Sequence, residues 1–544
     1  MATQPQHQDQ PTAVSISDAD AARFLLQAQF SANPQAIASV KALGYTGWLE
    51  REFDRPRAQS AVAWLDERKY NVFTKEREAF KNQVFAPRFG DHMIWNQLLS
   101  APDEMRQRLA FALSQYFVVS LTAIDGFWPP YVMAAWWDVL ADGVFGDFRE
   151  LLERVTLSAA MGKYLNTHGN LKEDPSTGRM PDENYAREIM QLFTIGLVEL
   201  NRDGTPKKDE HGALIETYTQ DDVTNLARVF TGYALDETRT TKTRVDWLPY
   251  PVPDQTFAKD PMRLDPNKHS SLAVDFLGMH IPEGTPGQEA LRIALDHLTN
   301  HPNVGPFFGK QMIQRLVTSD PSPAYVARVA AAFNDNGAGR RGDLKAVWRA
   351  ILMDPEARKR PDPQGATSGK LREPVVRWVQ WARTVGVESE TGAWEIYDLS
   401  RSDYALGQSP LRSPTVFNFF RPDFSPPHTA MAKSKAPAPE FQLHDEASTA
   451  GYINFIQRTT RSGYKDVKPT YHALVPIAHD AAAVVDWLDL HMTARQLSPQ
   501  TRAIITRALE KQAVRPGSSL SAKRDLLASA CLLVMSSVDY LIQK

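Results

Sequence analysis

Apolar residues recur at helical spacing along most of this chain. Phe24, Leu25 and Ala28 form one stripe, Met105, Leu109, Leu113, Tyr116 and Phe117 a second, and Phe148, Leu151, Leu152 and Val155 a third. The same period runs through 223–230, 304–317, 325–333, 344–352, 374–385 and 481–490. Residues three or four apart share a helix face, so each stripe predicts an amphipathic helix. Start and stop signals agree with this. Ser17 stands at capping-box spacing from Asp20, and Asn33-Pro34 opens a helix that Gly44 stops. Strand-like alternation is scarce. A β-branched stretch at 197–218, punctuated by Gly196, Asp203-Gly204 and Gly212, predicts a short hairpin. The expected fold is mainly α: a large irregular multi-helix bundle with long loops and at most short β-hairpins, stabilised by packed amphipathic faces.

Three polar, proline-bearing stretches interrupt the helices. They are 236–270, 354–370 with Pro361, Pro363 and Gly365, and 421–440 with five prolines and two lysines. Connections this long in a compact protein are functional or disordered, so each is a candidate lid or partner-binding element. Residues 1–16 read as a flexible polar segment and 17–544 as one helical region, with a weak sub-boundary near 354–370. No repeat of fixed period indicates a solenoid.

Composition narrows the function classes. A chain of 544 residues with 43% hydrophobic content can bury a large core. Its 61 basic and 64 acidic residues give a formal charge of −3, which offers no global attraction for a phosphate backbone, so nucleic acid is not an expected partner. Cys531 is the single cysteine, which excludes an internal disulfide framework and a cysteine-rich zinc site. No apolar run approaches the roughly 18 to 20 residues of a membrane-spanning helix. The amino-terminal run lacks a basic region followed by an apolar one, so no secretory signal is expected in the sequence as written.

Several apparent motifs fail on inspection. Gly365-Ala-Thr-Ser-Gly-Lys370 is one residue short of a phosphate-binding loop, and Leu371 replaces the magnesium-binding hydroxyl. His297 and His301 are four apart, but the general base of a zinc-protease helix is missing and Pro302 follows at once; His301 is expected to cap a turn. Neither a nucleophile elbow nor a dinucleotide fingerprint occurs. No cofactor, no metal ligands and no structural zinc are expected.

One helix is more polar than a core helix requires. At helical period, Tyr185, Ile189, Leu192 and Phe193 fall on one face of 181–193, and Glu183, Asn184, Arg187, Glu188 and Gln191 fall on the other. Two readings compete. A solvated face would pair Glu183 with Arg187 for about 0.3 to 0.5 kcal/mol. A functional face would use Arg187 as an anion fork, with Glu183 and Glu188 as general acid and base or as hard-metal ligands. The spacing of Thr219 and Asp222 explains both as a capping box of the next helix, leaving Asp221 and Arg228 as further binding candidates.

The segments Arg23-Phe-Leu-Leu-Gln-Ala, Pro181-Asp-Glu-Asn-Tyr-Ala-Arg-Glu-Ile-Met-Gln-Leu-Phe-Thr-Ile-Gly196, Tyr218-Thr-Gln-Asp-Asp-Val, Phe230-Thr-Gly-Tyr233 and Phe276-Leu-Gly278 stand in an order that resembles a bacterial family, domain of unknown function 1800. The resemblance continues through His301-Pro302, Arg315-Leu-Val, Leu371-Arg-Glu-Pro374, Leu406-Gly-Gln-Ser-Pro410 and Ser537-Val-Asp-Tyr-Leu-Ile-Gln543. It implies a large helical protein, periplasmic or secreted, often encoded beside a protein of domain-of-unknown-function family 1501, itself similar to the phosphatase and sulfatase fold. The family pattern raises the weight of Glu183, Asn184, Arg187 and Glu188, and brings His301 and Arg315 in as binding candidates. This sequence departs from it at Ser270 after His269, at Val274 in place of a lysine, and at Phe193 in place of a histidine.

Two function classes follow. The first is an extracytoplasmic accessory or binding protein holding the phosphatase-like neighbour or a glycan. The second is a hydrolase or transferase acting on a polymer or carbohydrate through Glu183, Arg187 and Glu188. Trp128, Trp136 and Trp137 beside Tyr131 would suit a sugar-stacking platform if they were exposed.

Overall fold

A computed structural model describes residues 15–360 and 369–544. The polar amino-terminal stretch, apart from its last residues, and the core of the 354–370 boundary lie outside these described residues.

Helices dominate: 24 α-helices occur among the described residues, and strands pair only as five two-stranded antiparallel ladders. The sequence punctuation operates as read. The Ser17 hydroxyl accepts from the Asp20 amide at 3.1 Å, and Asn33 caps the Pro34–Asp54 helix through the Ala36 amide at 2.8 Å. Gly44, at φ +70° and non-helical, stops the first helix of this span as expected, and a second helix follows it directly; its missing Cβ allows the left-handed conformation at the junction. The hairpin expected over 197–218 is present as isolated bridges, Val198 with Glu216, Leu200 with Pro206 and Lys208 with Leu214.

The core is organised around the Pro129–Gly143 helix. Its sequence is apolar on nearly every face, as a helix surrounded by protein must be, and it packs against Arg88–Ser100, Glu104–Ser114, Ala61–Glu67 and Phe148–Thr156. Trp128, Trp136 and Trp137 are 1%, 0% and 0% exposed, which overturns their reading as a carbohydrate platform. Each serves the core instead, where burying a large apolar side chain stabilises by about 1.5 to 3 kcal/mol. Trp128 Nε1 donates to the Pro253 carbonyl at 2.8 Å and Trp137 Nε1 to Gln107 Oε1 at 3.0 Å.

Two long-range connections position the site described next. The Val304–Leu316 helix packs along Pro323–Asn334 and touches Glu104–Ser114. The carboxyl-terminal strand Ile542–Gln543 pairs with Lys370–Leu371, and Gln543 Nε2 donates to the Leu316 carbonyl at 2.8 Å. The 370–374 segment is thereby clamped against the end of the Val304–Leu316 helix. No helix among the described residues is long and apolar enough to cross a membrane.

Candidate functional site

The polar face of the Asn184–Gln191 helix does not act as one unit. Arg187 Nη2 lies 3.0 Å from Glu183 Oε2, and both guanidinium Nη atoms donate to Gln220 Oε1 at 3.2 Å. Gln220 Nε2 returns to Glu183 Oε2 at 2.8 Å, and the Thr224 hydroxyl donates to Glu183 Oε1 at 2.7 Å. This ring fastens two helices at the surface, with the Arg187 and Glu183 side chains 38% and 32% exposed. Arg187 is thus no buried anchor. Glu188 points elsewhere: it is buried, its Oε2 has no partner among the described residues, and burial raises its carboxyl above the ordinary value against the pull of Arg187. The nearby Tyr164 phenol is pushed up to about 12, first by burial and then by the Glu188 charge.

The other candidates divide between scaffold and site. Asn184 begins the helix, its amide donating to Asp182 Oδ1 at 2.8 Å. Asp221 is exposed and its carbonyl accepts from Asn225 Nδ2 at 3.0 Å. Arg228 Nη1 donates to Asn225 Oδ1 at 2.6 Å and to the Ala273 carbonyl at 2.8 Å, which locks two segments together. His301 ends the Gly287–Asn300 helix, with Nδ1 accepting from the Asn303 amide at 3.2 Å, and burial lowers its imidazole below the ordinary value. The capping box expected of Thr219 and Asp222 is formed.

Gln191 and Arg315, 124 positions apart in the numbering, line one cavity of about 590 Å³. Its floor is the Val304–Leu316 helix, which presents Phe307, Lys310, Gln311, Gln314 and Arg315. One wall is the base of the 197–217 hairpin and the other is the loop 416–423. The walls are apolar: Leu192, Leu197, Val198, Leu200, Val416, Phe417, Phe420 and Pro422. Leu197 and Phe417 stay 56% and 37% exposed at the mouth. An apolar cleft with a few convergent polar groups has the character of a ligand site.

The polar groups of the floor are incompletely used. Arg315 is 5% exposed; Nη2 donates to the Gln115 carbonyl at 2.8 Å and Nη1 to the Gln311 carbonyl at 3.3 Å, while Nε has no partner among the described residues. Gln314 Nε2 holds the Ser319 and Pro422 carbonyls, both at 2.9 Å, and its Oε1 has no partner among the described residues. Gln191 Oε1 accepts from the Tyr218 hydroxyl at 3.1 Å. Behind the floor, Arg108 Nη2 donates to the Arg315 carbonyl at 2.6 Å, and Lys370 Nζ reaches the same oxygen at 2.8 Å and Glu440 at 3.1 Å. Glu373 accepts from Gln115 and from Gln408 Nε2, the latter at 2.7 Å. Burial lowers both arginines to about 10, which leaves them charged at neutral pH, and Glu373 opposes that shift.

A second cavity, of about 580 Å³, is lined by Glu104, Arg383, Ser389 and Trp394. Its charges already serve the fold: Glu104 lies 3.5 Å from Arg383 and accepts from the Ser31 hydroxyl at 3.1 Å. Among the described residues no three His, Cys, Asp or Glu side chains group as a metal site.

Sequence reasoning found Gln191 and Arg315 but missed Lys310, Gln311, Gln314 and Gln115. One signal was available. Gln311, Gln314 and Arg315 follow i, i+3, i+4 spacing inside a helix whose one other polar residue is Lys310, and all three are buried, so they share a face that faces protein. Buried polar groups in that pattern need partners or a ligand.

No curated protein and no solved structure matches this chain. Residues 23–542 match the family described as a protein of unknown function, DUF1800. With nearly the whole sequence covered, the chain belongs to the DUF1800 family.

Proposed function

We propose that this chain is an accessory or binding protein that holds a segment of a protein partner in the cleft between Gln191 and Arg315. One observation carries the reading. The cleft combines apolar walls with convergent glutamine amides, and among the described residues lining it Asp423 is the single carboxylate, with no His, Cys, Ser or Thr. Catalysis of hydrolysis or transfer by side chains needs a nucleophile or an acid and base within reach of one another. Binding needs apolar contact and amide hydrogen bonds. The alternative, a hydrolase or transferase using Glu183, Arg187 and Glu188, has less support, because Glu188 points into the protein while the other two brace Gln220 and Thr224. A glycan partner loses its aromatic platform with the burial of Trp128, Trp136 and Trp137.

The first partner to test is a protein of family 1501, with the encounter placed outside the cytoplasm, as the family resemblance implies. Calorimetric titration of the full chain with such a purified protein should show binding that Phe417→Asp abolishes and Arg187→Ala leaves intact. Loss of binding in Arg187→Ala with retention in Phe417→Asp would move the site to the signature helix. No binding by the unaltered chain would remove this partner.

A further inference from the structure

The charges at the cleft identify what the bound segment carries. Arg315 on the floor, Lys310 beside it and Arg421 on the rim have no carboxylate within 4.0 Å among the described residues. Two acids oppose them from outside the floor: Asp423 at the outer edge of the cleft, and Asp320, whose carboxyl feels the Lys310 charge. Immediately behind, three cations, Arg108, Arg315 and Lys370, share two buried carboxylates, Glu373 and Glu440. With Arg315 counted once, five cations, Arg108, Lys310, Arg315, Lys370 and Arg421, face four carboxylates, Asp320, Glu373, Asp423 and Glu440, so positive charge is in excess by one, and the excess sits at the buried floor. Unpaired cations in a low-dielectric cleft attract an anionic group strongly, and a planar guanidinium favours a carboxylate.

The rest of the cleft selects among carboxylates. A free fatty acid would satisfy the cations and the apolar walls but would leave Gln191, Gln311 and Gln314 facing methylene groups. A peptide supplies one donor and one acceptor per residue, which is what an amide side chain pairs with. We infer that the cleft is a receptor for the carboxyl terminus of a polypeptide, with the terminal carboxylate held by Lys310, Arg315 and Arg421, and apolar side chains lodged against Phe307, Phe417 and Phe420. Such capture of a chain terminus is a known mode of peptide recognition. The inference rests on the binding reading above and adds to it the end of the chain that enters.

The test uses the full-length protein with two matched libraries of synthetic heptapeptides rich in Phe, Leu and Val. One library ends in free carboxylates and the other in carboxamides; dodecanoate serves as a third probe. The expected result is retention of free-acid peptides at least tenfold over their amides, with that preference falling below twofold in the doubly substituted Lys310→Gln, Arg421→Gln protein. Lys310 is half-buried on the floor helix and Arg421 is exposed, and neither makes an ion pair among the described residues, so circular dichroism and a thermal melt will show the fold retained; Arg315→Met provides an independent check of the buried floor. Equal retention of acids and amides would overturn carboxylate capture while leaving peptide binding in place. Retention of neither library would overturn both readings. Saturable dodecanoate binding with no peptide bound would replace the peptide by a lipid acid.

Discussion

Arg108 Nη2 donates to the carbonyl oxygen of Arg315 at 2.6 Å, which sets two buried guanidinium groups in series with no carboxylate in ion-pair range of either among the described residues. Their nearest countercharge is Glu373, itself fully buried and also close to Lys370 at 3.9 Å. The arrangement makes the two signs unequal. Arg315→Met removes a surplus charge at similar volume and leaves two carbonyls short of a donor, so it should lower stability by no more than about 2 kcal/mol. Glu373→Gln leaves the three cations with Glu440 alone and should lower it by about 3 to 5 kcal/mol. Urea denaturation of both variants checks the order, and a larger loss in Arg315→Met would show that the positive surplus is not there.

The ring of Glu183, Arg187, Gln220 and Thr224 is a surface brace. Exposed ion pairs contribute between roughly zero and 1 kcal/mol, so Arg187→Ala should change stability within that range. A loss of about 3 kcal/mol in denaturant would mean that Arg187 is buried in the solution structure.

Stability should also depend on pH through Asp91. This carboxylate accepts from Arg412 Nε at 2.8 Å and Nη2 at 2.6 Å, and Arg412 precedes the loop that walls the cleft. Burial outweighs the arginine and raises the Asp91 carboxyl to about 6, with Asp398 pushing the same way. In the unfolded chain the group titrates near 3.8, so between about pH 4 and pH 6 the folded state binds the extra proton. Stability therefore falls as pH rises across that window and levels off above it, by roughly 3 kcal/mol in total for this group. Glu188, raised by burial as well, contributes with the same sign. Denaturation midpoints of Asp91→Asn, compared with the unaltered protein from pH 4 to pH 7, should show a shallower decline. An identical profile would assign the ionisation elsewhere.

Much of the fold was legible because its signals are local. Helix stripes, the Ser17 and Asn33 caps and the capping box at Thr219 and Asp222 depend on residues within four positions of each other, and all appear in the structure. The signature helix misled for the same reason. Local spacing places Glu183, Arg187 and Glu188 on one polar face, but only the packing against Tyr164 and against the Gln220–Ala227 helix decides that Glu188 is buried and Arg187 is not. The cleft was the least legible part. It joins Gln115, Gln191, Arg315 and Arg421, whose proximity follows from the long-range clamp of Lys370–Leu371 on Ile542–Gln543 and from the Gln314 bond to the Pro422 carbonyl. No pattern within a short window reports such a meeting. Gln311, Gln314 and Arg315 were the accessible clue, as three polar residues on the buried face of one helix.

The central claim is that the cleft between Gln191 and Arg315 is where a partner's peptide segment is held. Hydrogen–deuterium exchange of the full chain, with and without a saturating free-acid heptapeptide chosen from the library, tests it most directly. Bound peptide should slow exchange at 196–206, 304–316 and 416–423 and leave 184–191 and 220–227 unchanged. Protection confined to those last two helices, with none along the cleft, would contradict the account.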